Sequence, residues 1–420
     1  MKLLGVLSLI LFLYSISFLI YGNNFTLYAQ SDLRTTKHRD IVIDLGNEIK
    51  TSAQLTYPAI GKGPFPGVLL ITGSGAEDMN ETAGFIRIDN KTGDRIYPPV
   101  PFFQIADYLS ERGFTVLRYD KRGIGTNHTI LDSNIWGNLT LDDITQDANK
   151  ALNILTLQPE VDSKRVTVLG HSEGTMIAPR VAMDNPDKVD NIVLMGAVDN
   201  QSKILEFQTV ALPLLYAKEV LDKNHDGTLS VLEASRDVTF ERLVGGNLSL
   251  ILTQNAENGT KAPKAEYNAN NDTHINIETE LKPVLVNHAK SFFSPSKSAP
   301  SETAGKCTNL EGCPMYSSSF LNFEPNLSNI GNVPTNTSIL ILNGENDTQT
   351  PVQGALLLQQ KLIELRHPDH ILITYPNLGH EFYPSTQWLT QHGPIEKYVL
   401  GDLYSWLEAH SGFMSLNSLK

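Results

Sequence analysis

Residues 166–174 read Val-Thr-Val-Leu-Gly-His-Ser-Glu-Gly. The first four are apolar or β-branched, the composition of a strand buried on both faces. Gly170 ends that run, and after Gly174 the sequence TMIAPRVAM takes up a helical pattern. Strand, sharp turn and helix with a serine at the apex make the G-x-S-x-G nucleophile elbow. The two glycines are a steric need, because a side chain at either would strike the neighbouring strand or helix. The turn leaves the Ser172 hydroxyl clear of the backbone. It also aims the N–H of Glu173, at a helix N-terminus, toward an oxyanion formed there.

The rest of the chain bounds the reading. At 420 residues it has room for one large core plus an insertion. A net charge of −13 argues against nucleic acid or an anionic membrane surface as partner and suits a bound cation. Lys2 is the only charge before the apolar run at residues 3–21. That run reads as a secretory signal peptide, with Ala29 as cleavage point, or as an uncleaved anchor tethering the protein to a membrane. Residues 1–30 are therefore set apart from the fold. The N-x-[ST] sequons at Asn24, Asn80, Asn90, Asn127, Asn138, Asn247, Asn258, Asn271, Asn326, Asn336 and Asn346 point to a secreted, glycosylated surface. A glycan on Asn346 would obstruct its neighbour Asp347. The two cysteines, Cys307 and Cys313, read as a local disulfide of an exported protein.

Taken in order, residues 39–57 alternate as two short strands about a turn near Gly46. Residues 67–72 (GVLLIT) form a buried strand that runs into GSGAED. PFFQIADYLSERG is an amphipathic helix stopped by Gly113, and FTVLRYD is the next strand. A helix over 141–157 has Thr140 as N-cap and Asp142 and Asp143 in its first turn. The elbow and the strand NIVLMGAVD follow. The rhythm stops over 200–335 and resumes with SILILNGEND, a helix over 352–365, HILITYPN, and a last helix around 395–410. Strands alternating with helices predict an α/β, doubly wound, mostly parallel sheet. Residues 31–199 and 336–420 form its two parts. The insertion 200–335 lies beyond the carboxyl ends of the strands and is expected to cap Ser172.

A serine nucleophile needs a base and an acid that fixes the base. Asp347 and His380 follow two successive late strands. Asp199, after NIVLMGAVD, is a second choice of acid, and His392 is the other late histidine. His171 is read as structural, facing away along its strand, and Asp120 as a local cap or a partner of Arg122.

ITGSGAED, FTVLRYDKRGIG, LGHSEG, NGENDTQTP and NLGHEF together resemble the α/β-hydrolase superfamily. Within it they look like an esterase group related to dienelactone hydrolases and to prolyl-oligopeptidase-like serine hydrolases. The resemblance covers about residues 60–200 and 336–410. It implies hydrolysis of carboxylic esters through an acyl-enzyme on Ser172, in the order Ser172, Asp347, His380. It also implies an oxyanion hole made by Ser74 and Glu173. One departure is Thr72, where many relatives carry histidine.

The insertion holds a second motif, DKNHDGTLSVLE at 222–233. Asp222, Asn224, Asp226, Thr228 (through its carbonyl), Ser230 and Glu233 stand at loop positions 1, 3, 5, 7, 9 and 12, with Gly227 at 6. This is an EF-hand loop, and it predicts a structural Ca2+ that holds the cap. Such loops pair through position 8. Aligning Ile275 with Leu229 puts Asn268, Asn270 and Asp272 at positions 1, 3 and 5 of a degenerate mate. That mate has Thr273 in place of glycine, Thr279 at 12, and Glu280 one residue late. The leading expectation is an exported serine esterase acting on a small-molecule ester. A peptidase of short peptides and a calcium-dependent binding module on an inactive scaffold are the alternatives.

Overall fold

The computed structural model describes residues 35–84, 86–88, 92, 95–244, 252–254, 261–263, 274–292 and 314–412. The N-terminal segment 1–30, Cys307, Cys313, Asn268, Asn270, Asp272, Thr273 and the sequons at Asn24, Asn90, Asn247, Asn258 and Asn271 lie outside them.

Eight strands form one sheet: β1 (Thr36–Gly46), β2 (Ile49–Pro58), β3 (Phe65–Ile71), β4 (Thr115–Tyr119), β5 (Val161–His171), β6 (Asn191–Met195), β7 (Ser338–Gly344) and β8 (His370–Tyr375). Their spatial order is β1-β2-β4-β3-β5-β6-β7-β8. β1 and β2 are an antiparallel hairpin, and β2 meets β4 antiparallel. Every later pairing is parallel. β5 therefore sits inside the sheet with its carboxyl end at the edge where β3, β6 and β7 also end.

Period-two alternation buries both faces. Leu69 and Ile71 of β3, with Val166 and Val168 of β5, face one layer. It holds helices α2 (Leu141–Thr156), α3 (Gly174–Asp184) and α4 (Val352–Glu364). Val68, Leu70 and Leu169 face the other, which holds α1 (Pro101–Ser110) and α5 (Lys397–His410). Thr140 caps α2 as expected, in a full capping box with Asp143.

The excursion between β6 and β7 leaves at Asp199 and returns at Leu327, whose N–H donates to the Asp199 carbonyl at 3.0 Å. Its first part, residues 201–221, is a helical stretch in which α and π turns alternate. Two short helices follow Ser230, Val231–Arg236 and Val238–Leu243. Asp237 stays extended between them and caps the second at Phe240 N. The excursion has its own apolar core, with Leu229 and Phe240 wholly buried. The hydrophobic effect thus acts on it as on a separate small unit.

Candidate active site

β5 delivers Ser172 at φ +52°, a left-handed backbone that costs a non-glycine residue about 1 kcal/mol or more. The turn is pinned by Ser172 N–H to Met195 O at 2.9 Å and by Thr175 Oγ1 to Ser172 O at 2.6 Å. The glycine argument holds in numbers. A Cβ at Gly170 would lie 2.0 Å from Gly174 O, and one at Gly174 would lie 2.2 Å from Ile71 O. Ser172 lines a cavity of about 600 Å³ together with Ser74, Ile204, Tyr316 and Phe320. Most of its wall is apolar and comes from the excursion.

His380 Nδ1 stands 2.8 Å from Asp347 Oδ2. Asp347 also accepts from Thr350 N at 2.8 Å and Thr350 Oγ1 at 2.7 Å. Burial alone would raise the Asp347 carboxyl; the His380 ring and these hydrogen bonds outweigh it and hold the carboxyl below its ordinary value. Asp199 makes no bond to His380. Its side chain lies against Gly354, where a Cβ would be 2.6 Å from Oδ1. His392 pairs with Glu381 at the surface. No hydrogen bond joins Ser172 Oγ to His380 among the described residues. His380 nevertheless stands beside the strand end that takes the Ser172 N–H. A Cβ at Gly196, the residue after Met195, would meet His380 Cε1 at 3.1 Å.

The loop after β3 wraps the elbow. Gly73 N–H is taken by Glu81 Oε1 at 2.6 Å, whereas the N–H groups of Ser74 and Glu173 have no partner among the described residues. These are the two expected donors, and both residues line the cavity. The Glu173 carboxylate is occupied elsewhere. It accepts from Lys121 Nζ at 2.8 Å and from the Tyr316 hydroxyl. Lys121 also donates to the Gly73 carbonyl. Lys121 and Glu173 are buried, so removing either would strand a charge at a cost of about 3–5 kcal/mol.

Two expectations need correction. His171 does not face away. Alternation puts it on the Leu169 face of β5, where Leu378 and Phe382 pack. Its Nδ1 is 2.9 Å from Glu81 Oε1, its Nε2 is 3.0 Å from the His380 carbonyl, and its ring centroid is 4.6 Å from that of His380. Asp120 does not pair with Arg122. It accepts from Met79 N at 2.7 Å, while Arg122 reaches Asp143 and Asp147 on α2. Thr350, Glu81, Lys121 and Tyr316 belong to the site without standing out in the sequence. Only Thr350, three residues after Asp347, has a local signal.

In the acidic loop, Gly227 has φ +79°. Asp222 accepts from Asp226 N at 3.1 Å and Gly227 N at 2.9 Å; Asp226 accepts from Thr228 N at 2.8 Å. Glu233 accepts from Ser230 N at 3.0 Å. Among the described residues no three His, Cys, Asp or Glu side chains gather as they would around a metal ion. The donors are hard oxygens, the ligand type for Ca2+. Thr228–Ser230 pairs antiparallel with His274–Asn276, with Leu229 opposite Ile275. Glu280, one residue late by count, reaches Asn276 N at 2.8 Å because residues 277–281 wind as a π-turn that absorbs one residue. Both amide hydrogens of buried Asn326 are bonded to backbone carbonyls, those of Thr175 and Val198, so that sequon cannot carry a glycan on the folded chain.

The α/β hydrolase fold family matches residues 97–385, and the chain belongs to that family. Esterase EstD of Thermotoga maritima is 35% identical over 182 residues, 43% of this chain and 37% of EstD. The match thus spans little more than a third of that relative. Among solved structures, proline iminopeptidase of Mycobacterium smegmatis has 15% identity and a TM-score of 0.48, covering 89% of this chain and 99% of its own. Est1E of Butyrivibrio proteoclasticus has 13% identity and a TM-score of 0.43, with coverage of 89% and 99%.

Proposed function

We propose that this protein is a serine hydrolase that cleaves carboxylic esters through an acyl-enzyme on Ser172. The observation that carries the reading is the Asp347–His380 hydrogen bond at 2.8 Å beside a strained serine that lines a largely apolar cavity. His380 takes the Ser172 proton as Oγ adds to the ester carbonyl. The oxyanion is received by the N–H groups of Ser74 and Glu173. On collapse the alcohol leaves with the proton from His380. Water, deprotonated by His380, then adds to the acyl carbonyl, and the acid leaves as His380 returns the proton to Ser172 Oγ. The Ser172–His380 hydrogen bond forms as substrate fills the pocket, since catalytic hydrogen bonds are often long without it. The partial identity to EstD supports an ester over a peptide substrate.

Calcium enters as a structural ion. Asp222, Asn224, Asp226, Ser230 and Glu233 side chains and the Thr228 carbonyl would hold it, and it would cross-brace the excursion that walls the pocket. It takes no part in acyl transfer. Export through residues 1–30, with residues 3–21 as signal or tether, accords with such an ion, because extracellular calcium is plentiful.

The test is hydrolysis of p-nitrophenyl esters from acetate to laurate by wild type and S172A. Wild type should turn over with an optimum at short to medium chains, as the cavity volume suggests. S172A should lose at least about 10⁴-fold in kcat and all labelling by a fluorophosphonate. No turnover, with labelling intact, would transfer the reading to the short-peptide hydrolase. No turnover and no labelling would favour a binding module.

A further inference from the structure

We infer that Glu81 and His171 form a charged positioning pair that sets the oxyanion loop and the His380 loop against each other. The inference rests on the roles proposed for Ser172 and His380. Glu81 Oε1 alone receives both Gly73 N–H, at 2.6 Å, and His171 Nδ1, at 2.9 Å. Its other oxygen has no partner among the described residues. A carboxylate only accepts, so Nδ1 must carry a hydrogen. Nε2 lies 3.0 Å from a carbonyl, that of His380, which also only accepts. With Glu81 as the carboxylate, both ring nitrogens donate and His171 is an imidazolium.

The pair is held firmly. Glu81 sits at φ +51°, in a turn where Asp78 accepts from Thr82 N at 3.2 Å, Asn80 N at 3.0 Å and Asn127 N at 2.9 Å. Strain kept in place by such a brace marks a position whose side chain is needed there. The charged and titratable groups around His171 are Glu77 and Glu81 on the loop after β3, Lys121 after β4, and His380 and Glu381 after β8. Burial by itself would lower the His171 value; the charge and hydrogen bond of Glu81 more than reverse it, to about 9. Burial and the Glu81 charge push Glu77 up to about 8, so at neutral pH it holds a proton and does not compete as counter-ion. Loss of the His171 proton would break one of its two bonds. Either Gly73 and Ser74 or the His380 backbone would then be released from register.

The test measures kcat and KM of the full chain between pH 5 and 10.5 for wild type, E81Q and H171Q, with melting curves to confirm folding. The amide that E81Q introduces can still accept from Gly73 but supplies no charge, so His171 loses its proton at lower pH. E81Q should be about tenfold slower near pH 8 at unchanged KM. That deficit should shrink below pH 6, and again above pH 9.5 where wild type falls too. H171Q should be about tenfold slower in kcat and lack the alkaline limb near 9. Deficits constant across pH, or a limb that survives in H171Q, would overturn the inference. Imidazole 15N NMR, assigned through H171Q, should show both His171 nitrogens protonated at pH 7.5. A neutral ring there in an active enzyme refutes the pair. An inactive wild type refutes the ester reading instead, and the NMR still decides on the pair.

Discussion

At the scale of single residues, the acid of the site does two jobs. Asp347 orients His380, and it contributes to stability. Its folded value lies below the ordinary one, so it releases its proton more readily in the folded chain. The pair therefore stabilises the fold above about pH 4, the ordinary carboxyl value, and that contribution is lost as pH falls through the lower folded value. D347N should cut kcat by about 10⁴-fold. Its stability deficit against wild type, read from urea midpoints, should be largest near pH 7 and shrink steadily below pH 4. A deficit independent of pH would mean that Asp347 is not ionised against His380. Thr350 shares this carboxylate, and its two bonds explain why Asp347 remains charged while 5% exposed.

At the scale of elements, the elbow is legible in the sequence because its chemistry is local. Four apolar or β-branched residues, two glycines and a helical period lie within one short stretch, and their steric reasons can be read without a partner. G174A should not be accommodated, since its Cβ would lie 2.2 Å from a strand carbonyl with nothing flexible to yield. We expect a loss of about 3 kcal/mol or more, measured by chemical unfolding, with loss of labelling at Ser172 in any folded remainder. The Leu229–Ile275 pairing is legible for the same kind of reason, as two loop patterns with matching apolar centres. The long-range side-chain links are not. Glu81 and His171 are 90 residues apart, Lys121 and Glu173 are 52, and Tyr316 and Glu173 are 143. No periodicity encodes such pairs. Alternation gives the face of His171, but its partners escape a sequence reading because Glu81 and the His380 carbonyl come from loops far along the chain. The π-turn at 277–281 is equally hidden, since counting assumes α-helical spacing.

At the scale of the whole molecule, there are three cores among the described residues, one on each face of the sheet and one inside the excursion. The acidic loop places Leu229 in the excursion's core, so calcium should act there first. Chelation with EGTA should lower the melting temperature by about 5 °C, as expected when an ion near a hundredfold above its Kd is withdrawn from a chain of this size. Added calcium should restore it, and E233Q should abolish the response. Unchanged melting and unchanged turnover would remove calcium from the account. A larger open groove, of about 750 Å³, runs between α1 and residues 392–397 and carries none of the groups placed around Ser172.

The excursion leaves and re-enters the sheet through one narrow neck, the 3.0 Å hydrogen bond from Leu327 to Asp199. β6 and β7 pair directly beneath it over five residue pairs. What is threaded through the neck thus has no part in setting strand register. The excursion can therefore change in length or shape like an exchangeable tool head while the strand register holds, provided that the Tyr316 bond to the Glu173 carboxylate is kept.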